Sequence, residues 1–307
     1  MGLGLQPGDE VITADFTFAA TVEVIALLQL TPVLVDVDMN NMNISLEGIR
    51  KAITPKTKAI VPVHLFGRAA NMDAIMEIAN EHNLYVIEDN AQAIGADYTN
   101  KEGIKKKVGT IGHVAATSFF PSKNLGCYGD GGAIFTNDDN LAHIIRGIVN
   151  HGMYERYHHD VVGVNSRLDS IQAGVLKAKL PHLDTYNRAR QDAARKYSLA
   201  LGVNPNIVAP TICESCDCHV FHQYVIRITN GKRDALLAHL QEKGIPCAIY
   251  YPIPLHSQKA YADVRYKEED FPVTNQLCKE VLALPMHTEL DDEQIKFITD
   301  TVLEYIK

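Results

Sequence analysis

The chain has 307 residues, 46% of them hydrophobic, enough for one large core and a smaller one. A formal net charge of −8 argues against a polyanionic partner such as a nucleic acid; the one basic cluster, Lys105, Lys106 and Lys107, reads as a solvated face beside a hairpin turn. No stretch has the apolar length of a membrane span, and the first residues fit neither a signal peptide nor a myristoylation site, so a cytoplasmic protein with reduced thiols is expected.

Residues 32–38 (PVLVDVD) predict a buried strand, and Ser45 is a plausible cap for a short helix. A second strand follows at 58–65, then an amphipathic helix at 72–82 with Ile75, Ile78 and Ala79 on one face. Strands are predicted at 84–89 (LYVIED), 114–119 and 131–136. This alternation implies a mainly parallel sheet covered on both faces. Residues 168–197 read as nearly continuous helix, kinked at Pro181. Beyond them come a strand (224–228), a helix (233–243), a strand (246–251) and two helices (274–283 and 292–305). The last helix presents Ile295, Ile298, Val302 and Ile306 as a core stripe. These elements divide the chain into a large unit, 1–190, and a small α+β unit, 191–307.

In open α/β sheets ligands bind beyond the carboxyl ends of the strands. Asp89 falls at such an end, and Gln92 lies three residues on. Lys123 follows a neighbouring strand, inside TSFFPSKNLGCYGDGGAIFTN (117–137), with Ser118 and Ser122 before it. Glycines at 126, 129, 131 and 132 allow sharp turns and close approach. The order of residues excludes a Walker loop. A lysine in a dry setting is easily deprotonated and becomes a nucleophile. With a strand-end acid and hydroxyl donors, it makes the set that pyridoxal phosphate requires. Metal readings are weaker. Cys213, Cys216, Cys218 and His219, with His222 near, lack the second half of a zinc site. Asp36 and Asp38 are expected to end a strand and open a turn, and His158–His159 to sit on a loop.

The chain resembles the DegT/DnrJ/EryC1/StrS sugar aminotransferases. The matching stretches are PGDEVI (7–12), FTFAAT (16–21), PVLVDVD (32–38), VIEDNAQAIGA (86–96), TSFFPSKNLGCYGDGGAIFTND (117–138), GVNSRLDSIQAG (163–174) and YYPIPLH (250–256). The resemblance implies an α/β fold of type I, that of aspartate aminotransferase, with pyridoxal 5′-phosphate as cofactor. Lys123 would hold the cofactor covalently and shuttle protons. Asp89 would pair with the pyridine nitrogen and Gln92 lie against the ring or its hydroxyl. Ser118 would bind the phosphate, Phe18 pack near the ring, and Asn165 reach the phosphate in a second subunit of a homodimer. Arg167, Tyr251 and His159 would face the nucleotide sugar.

Two departures from the family pattern stand out. The family's preceding segment, whose Gly-Thr helix start holds the phosphate, has no counterpart before PGDEVI. The chain is therefore expected to be N-terminally truncated and to bind cofactor poorly as it stands. Tyr250-Tyr251 also replaces the His-Tyr of many relatives. The resemblance is greatest to the branch aminating C3 of UDP-2-acetamido-2-deoxy-3-keto-glucuronate for surface polysaccharide, with L-glutamate as donor. A 4-keto-6-deoxy sugar is one alternative; a non-catalytic partner or regulatory protein of the same fold is another. The related dehydratases, which replace the lysine by histidine, are disfavoured by Lys123.

Overall fold

The computed structural model describes residues 1–212 and 218–307. Its first strand shows why the main sheet is a middle layer. Val11 packs with Ile25, Ala59 and Val61 on one face, and Ile12 with Ile60 and Val86 on the other. A strand buried on both sides needs helices on both sides. The strands through this region are β1 (Glu10–Ala14), β2 (Thr31–Val35), β3 (Thr57–Val61), β4 (Tyr85–Asp89), β5 (Asp97–Thr99), β6 (Lys105–Lys107), β7 (Val114–Ser118) and β8 (Gly132–Phe135). Six of them form the main sheet in the order β2-β1-β3-β4-β7-β8. All its pairs are parallel except β7 with β8. The helices α1 (Ala20–Leu27), α2 (Leu46–Ala52) and α3 (Met72–Glu81) make the crossovers between the parallel strands. As expected, Ser45 caps α2, accepting from the Gly48 N–H, and α3 buries Ile75, Ile78 and Ala79.

β5 and β6 form a separate hairpin, where the exposed Lys105 and Lys107 both pair with the buried Asp97. After β8 come α4 (Asp139–Ile148), a small hairpin of β9 (Met153–Glu155) and β10 (His158–His159), α5 (Ser170–Lys179) and α6 (Leu183–Leu201). A 3-10 turn containing Pro181 separates α5 from α6, at the expected kink. The second core joins Ala193, Ala194, Tyr197 and Leu201 of α6 to an antiparallel sheet of β11 (Ile207–Val208), β12 (Tyr224–Ile228) and β13 (Val281–Leu284). Helices α7 (Arg233–Glu242), α8 (Pro272–Glu280) and α9 (Asp292–Tyr305) complete this region. Ile295, Ile298, Val302 and Ile306 are buried there. No helix among the described residues is long and apolar enough to cross a membrane.

Two expectations are corrected. The helix expected over 274–283 stops at Glu280, and the next four residues, VLAL, pair with β12. A short apolar run fits a buried strand as well as a helix, and tertiary pairing decides. The strand expected over 246–251 is reduced to one bridge, Ala248 with Ala283. Pro246 lacks an N–H for a ladder, and the segment turns away to deliver Tyr250 and Tyr251 to the main core. Asp36 follows directly on the last residue of β2, Val35, and its carboxylate accepts from the N–H of Val273 and of Thr274 in the first turn of α8. Asp38 takes the turn N–H groups of Asn40 and Asn41. Cys213 and Cys216 lie outside the described residues. Cys218 and His219 are buried; His219 stacks on Phe221 at 3.7 Å and its Nδ1 accepts from the Phe221 N–H.

Candidate active site

The parallel strands β1, β3, β4 and β7 lie side by side, so their carboxyl ends share one edge. Asp89 closes β4 at this edge. Its Oδ2 accepts from the Thr21 hydroxyl at 2.7 Å and its Oδ1 from the Ala91 N–H at 3.1 Å. The preceding residue, Glu88, points to the opposite face, as alternation along a strand requires. There it is fully buried and accepts from the N–H groups of Gly109, Ile111 and Gly112 at 2.6 to 2.8 Å. His64 supplies a fourth donor: its Nδ1 takes the Ala70 N–H, which leaves Nε2–H to bond Glu88 at 2.9 Å. Burial works against the Glu88 charge, yet His64 and the backbone donors hold its carboxyl below the usual range.

Gln92 is oriented without ambiguity. Its Oε1 accepts the Phe66 N–H at 2.5 Å, so Nε2 must be the atom that donates to the Tyr251 hydroxyl at 3.1 Å. The hydroxyl proton of Tyr251 is then free to point elsewhere. Tyr251 is surrounded by aromatic rings: Phe16 at 6.0 Å, Phe18 at 6.2 Å and Phe66 at 6.3 Å. Burial, with the nearby charge of Asp89, raises its phenol well above the usual value, so it remains a donor at neutral pH. Phe18 is 59% exposed and offers its ring to the open side.

Lys123 sits in the connection between β7 and β8. The Phe119 N–H bonds the Gly131 carbonyl at 2.7 Å and closes the loop's neck. Inside, a Cβ at Gly126 would lie 2.4 Å from the Pro121 carbonyl oxygen, so only glycine fits that turn. The loop is clamped from outside by helices: Asn124 donates to Asn187 of α6 at 2.8 Å, and Lys179 of α5 donates to the Gly126 carbonyl at 2.7 Å. Leu125 and Cys127 anchor it in a core with Leu176 and Leu183. Burial pushes the Lys123 amine below its ordinary value, and the charge of Asp89 opposes that shift. His222, noted in the sequence only as a neighbour of the Cys213–His219 cluster, is buried near this amine. Its Nδ1 has no partner among the described residues, and burial followed by the charges of Lys123 and Arg190 keeps it well below its usual range.

Ser118 ends β7, and its hydroxyl accepts from the Phe120 N–H at 3.2 Å. It lines a cavity of about 310 Å³ together with Asp89, Thr21 and Ala91. Asn165 and Arg167 instead line a larger, open concavity of about 1230 Å³ with Asp130, Gly131 and Arg146. Arg167 donates to Asn150 at 2.9 Å. His158 and His159 form the strand β10 and not the expected loop, because they pair with β9; His159 is exposed and bonded through Nδ1 to the His151 carbonyl. Within one chain, then, Lys123, Asp89, Gln92, Ser118, Phe18 and Tyr251 gather at the strand ends. Asn165, Arg167 and His159 stand on a separate surface. Thr21 is a member of the first group that sequence reasoning missed; its only signal was the hydroxyl in FTFAAT.

Residues 1–303 match the model of the DegT/DnrJ/EryC1/StrS aminotransferase family. The chain belongs to the DegT/DnrJ/EryC1/StrS aminotransferase family. It is 48% identical over 298 residues to the UDP-2-acetamido-2-deoxy-3-oxo-D-glucuronate aminotransferase of Pseudomonas aeruginosa, covering 97% of this chain and 80% of that one. It is also 48% identical, over 306 residues, to a protein of Geobacillus stearothermophilus named "Pleiotropic regulatory protein", covering 99% of this chain and 80% of the other. Among solved structures, DesV of Streptomyces venezuelae superposes with a TM-score of 0.93 at 39% identity, covering all of this chain and 80% of DesV. The fold is accordingly the type I fold of pyridoxal-phosphate enzymes, and the family uses that cofactor.

The residues present fit such a group. The donor set is right: an amine held toward its neutral form, a carboxylate with lone pairs left on its open side, and a phenol with a free proton. A basic ring nitrogen, an electrophilic carbon and an oxygen substituent each find a complement in it.

Proposed function

We propose that this family member transfers the amino group of L-glutamate to a nucleotide-linked keto sugar, UDP-2-acetamido-2-deoxy-3-keto-glucuronate at C3. The observation that carries the reading is the Lys123 amine, pushed toward neutrality by burial at the same strand edge as the Asp89 carboxylate. The identity with the Pseudomonas aeruginosa relative supports the choice of sugar. When bound, pyridoxal phosphate supplies the electron sink for the carbon that gains or loses a proton. Lys123 holds the cofactor and, once released, carries the proton to and from the reacting carbon. Asp89 keeps a proton on the ring nitrogen. Gln92 directs the Tyr251 hydroxyl toward the ligand, Phe18 covers the ring, and Ser118 binds the phosphate.

Asn165 contributes to the neighbouring subunit's phosphate site in a homodimer. Its exposed place, apart from Lys123 in the same chain, supports this. Arg167 and His159 face the sugar on that same surface. Dividing the chain near residue 190 belongs to this reading too, because the second core starts at Ala193. The cytoplasm is the compartment in which it would work. The name of the Geobacillus relative favours a second reading, a non-catalytic regulatory protein.

Borohydride reduction of the cofactor-loaded protein, followed by peptide mapping, tests the first reading. A label on Lys123 is expected, and a label elsewhere or none overturns it. Glutamate-dependent amination should follow with the 3-keto uronate and exceed that with a dTDP-4-keto-6-deoxy sugar. The reverse order would reassign the substrate.

A further inference from the structure

A strand end does not by itself fix the plane of a terminal carboxylate. Asp89 must nevertheless present one oxygen steadily to a ring nitrogen, if it acts as proposed above, and the inference here rests on that reading. We propose that Thr21 is the positioning residue for Asp89, tying its carboxylate so that the free lone pairs face the cofactor. Thr21 lies in the first turn of α1 and is 5% exposed. A helical threonine often returns its hydroxyl proton to a carbonyl of the previous turn; this one gives it to Asp89 at 2.7 Å, a length suited to a hydroxyl bonded to a carboxylate.

The other oxygen is tied to the Ala91 N–H. The two oxygens are thus held by different elements, a helix and the turn after β4. Rotation of the carboxylate breaks one bond or the other. The Thr21 side chain is itself stiff, because branching at Cβ restricts its χ1. The same helix start is preceded by Phe18, so one segment sets both the ring-facing aromatic and the orientation of the acid.

The test compares Thr21→Val, which keeps the shape and removes the hydroxyl, with Thr21→Ser, which keeps the hydroxyl. Each is loaded with pyridoxal phosphate labelled with ¹⁵N in the ring. The ring-nitrogen chemical shift is followed against pH beside kcat and KM. Thr21→Val should lower the protonation midpoint of the ring nitrogen and reduce kcat about ten- to a hundredfold, the cost of one hydrogen bond to a charged group, with KM for the sugar little changed. Thr21→Ser should recover most of both. In an Asp89→Asn background, Thr21→Val should add nothing.

A Thr21→Val protein with unchanged midpoint and kcat overturns the proposal. So does an equal loss of kcat in the Asp89→Asn background, since Thr21 would then act independently of Asp89. If Asp89→Asn alone leaves the ring nitrogen protonated, the role of Asp89 fails, and that of Thr21 with it.

Discussion

Glu88 and Asp89 are adjacent carboxylates on the two faces of one strand end, and they are used in opposite ways. Glu88 is sealed in and collects four donors, three from the segment 109–112 and one from His64. Asp89 accepts two and keeps an open side. A carboxylate whose lone pairs are all engaged can hold a fold together; one with capacity left over can hold a ligand. Side-chain burial and donor count, and not residue type, separate brace from reagent.

Breaking the brace should have the largest effect. Glu88→Gln places an amide NH₂ among N–H donors and should cost about 3–5 kcal/mol of stability, read from urea unfolding. The sign of its pH dependence follows from the lowered carboxyl. The stabilisation from Glu88 is complete above its ordinary 4.5 and is lost as pH falls through the depressed folded value. Wild type should therefore lose stability in acid more steeply than Glu88→Gln; parallel curves would contradict the brace.

Asp89→Asn should leave urea stability nearly unchanged while reducing kcat about 10²–10³-fold, the usual scale for losing one electrostatic stabiliser in a protected site. A variant that unfolds early but turns over normally would reverse the two roles.

A smaller effect sharpens the electrostatic side. Attachment of cofactor needs the neutral amine of Lys123, whose value lies below its ordinary 10.5. The capture rate, followed by stopped-flow absorbance, should climb with pH and level off below 10.5. Because the charge of Asp89 opposes the shift, Asp89→Asn should move that midpoint lower still. A midpoint at or above 10.5 would show that the amine is not desolvated.

The smallest change is expected from Tyr251→Phe. It removes one neutral hydrogen bond to the ligand and should raise KM about two- to tenfold with stability retained. No change in KM would mean that the free phenol proton points away from the substrate.

The position of this site was legible because strand ends follow from apolar runs. VIED stops where the chain turns polar, AATS stops just before Phe119-Phe120-Pro121, and glycines mark the lysine loop. What could not be read depends on partners distant in sequence. Thr21 meets Asp89 only after α1 has crossed to its place, and nothing in FTFAAT distinguishes it from an ordinary helix threonine. Glu88 looked like one more strand residue, although its donors lie some twenty residues away. The run VLAL fitted two periods equally, and pairing with β12 made it a strand. The spacing of His222 pointed only to the neighbouring cysteines; its burial near Lys123 is what ties it to this site.

The clamps on the lysine loop have a consequence for how the protein matures. The neck between Phe119 and Gly131 is closed by the antiparallel return of β8, a contact local in sequence that forms at small entropic cost. The bonds from Asn187 and Lys179 arrive only when α5 and α6 have docked. A refolding chain should therefore show its secondary structure by circular dichroism before it can capture pyridoxal phosphate. Binding of the coloured cofactor then serves as a clock for the last packing step.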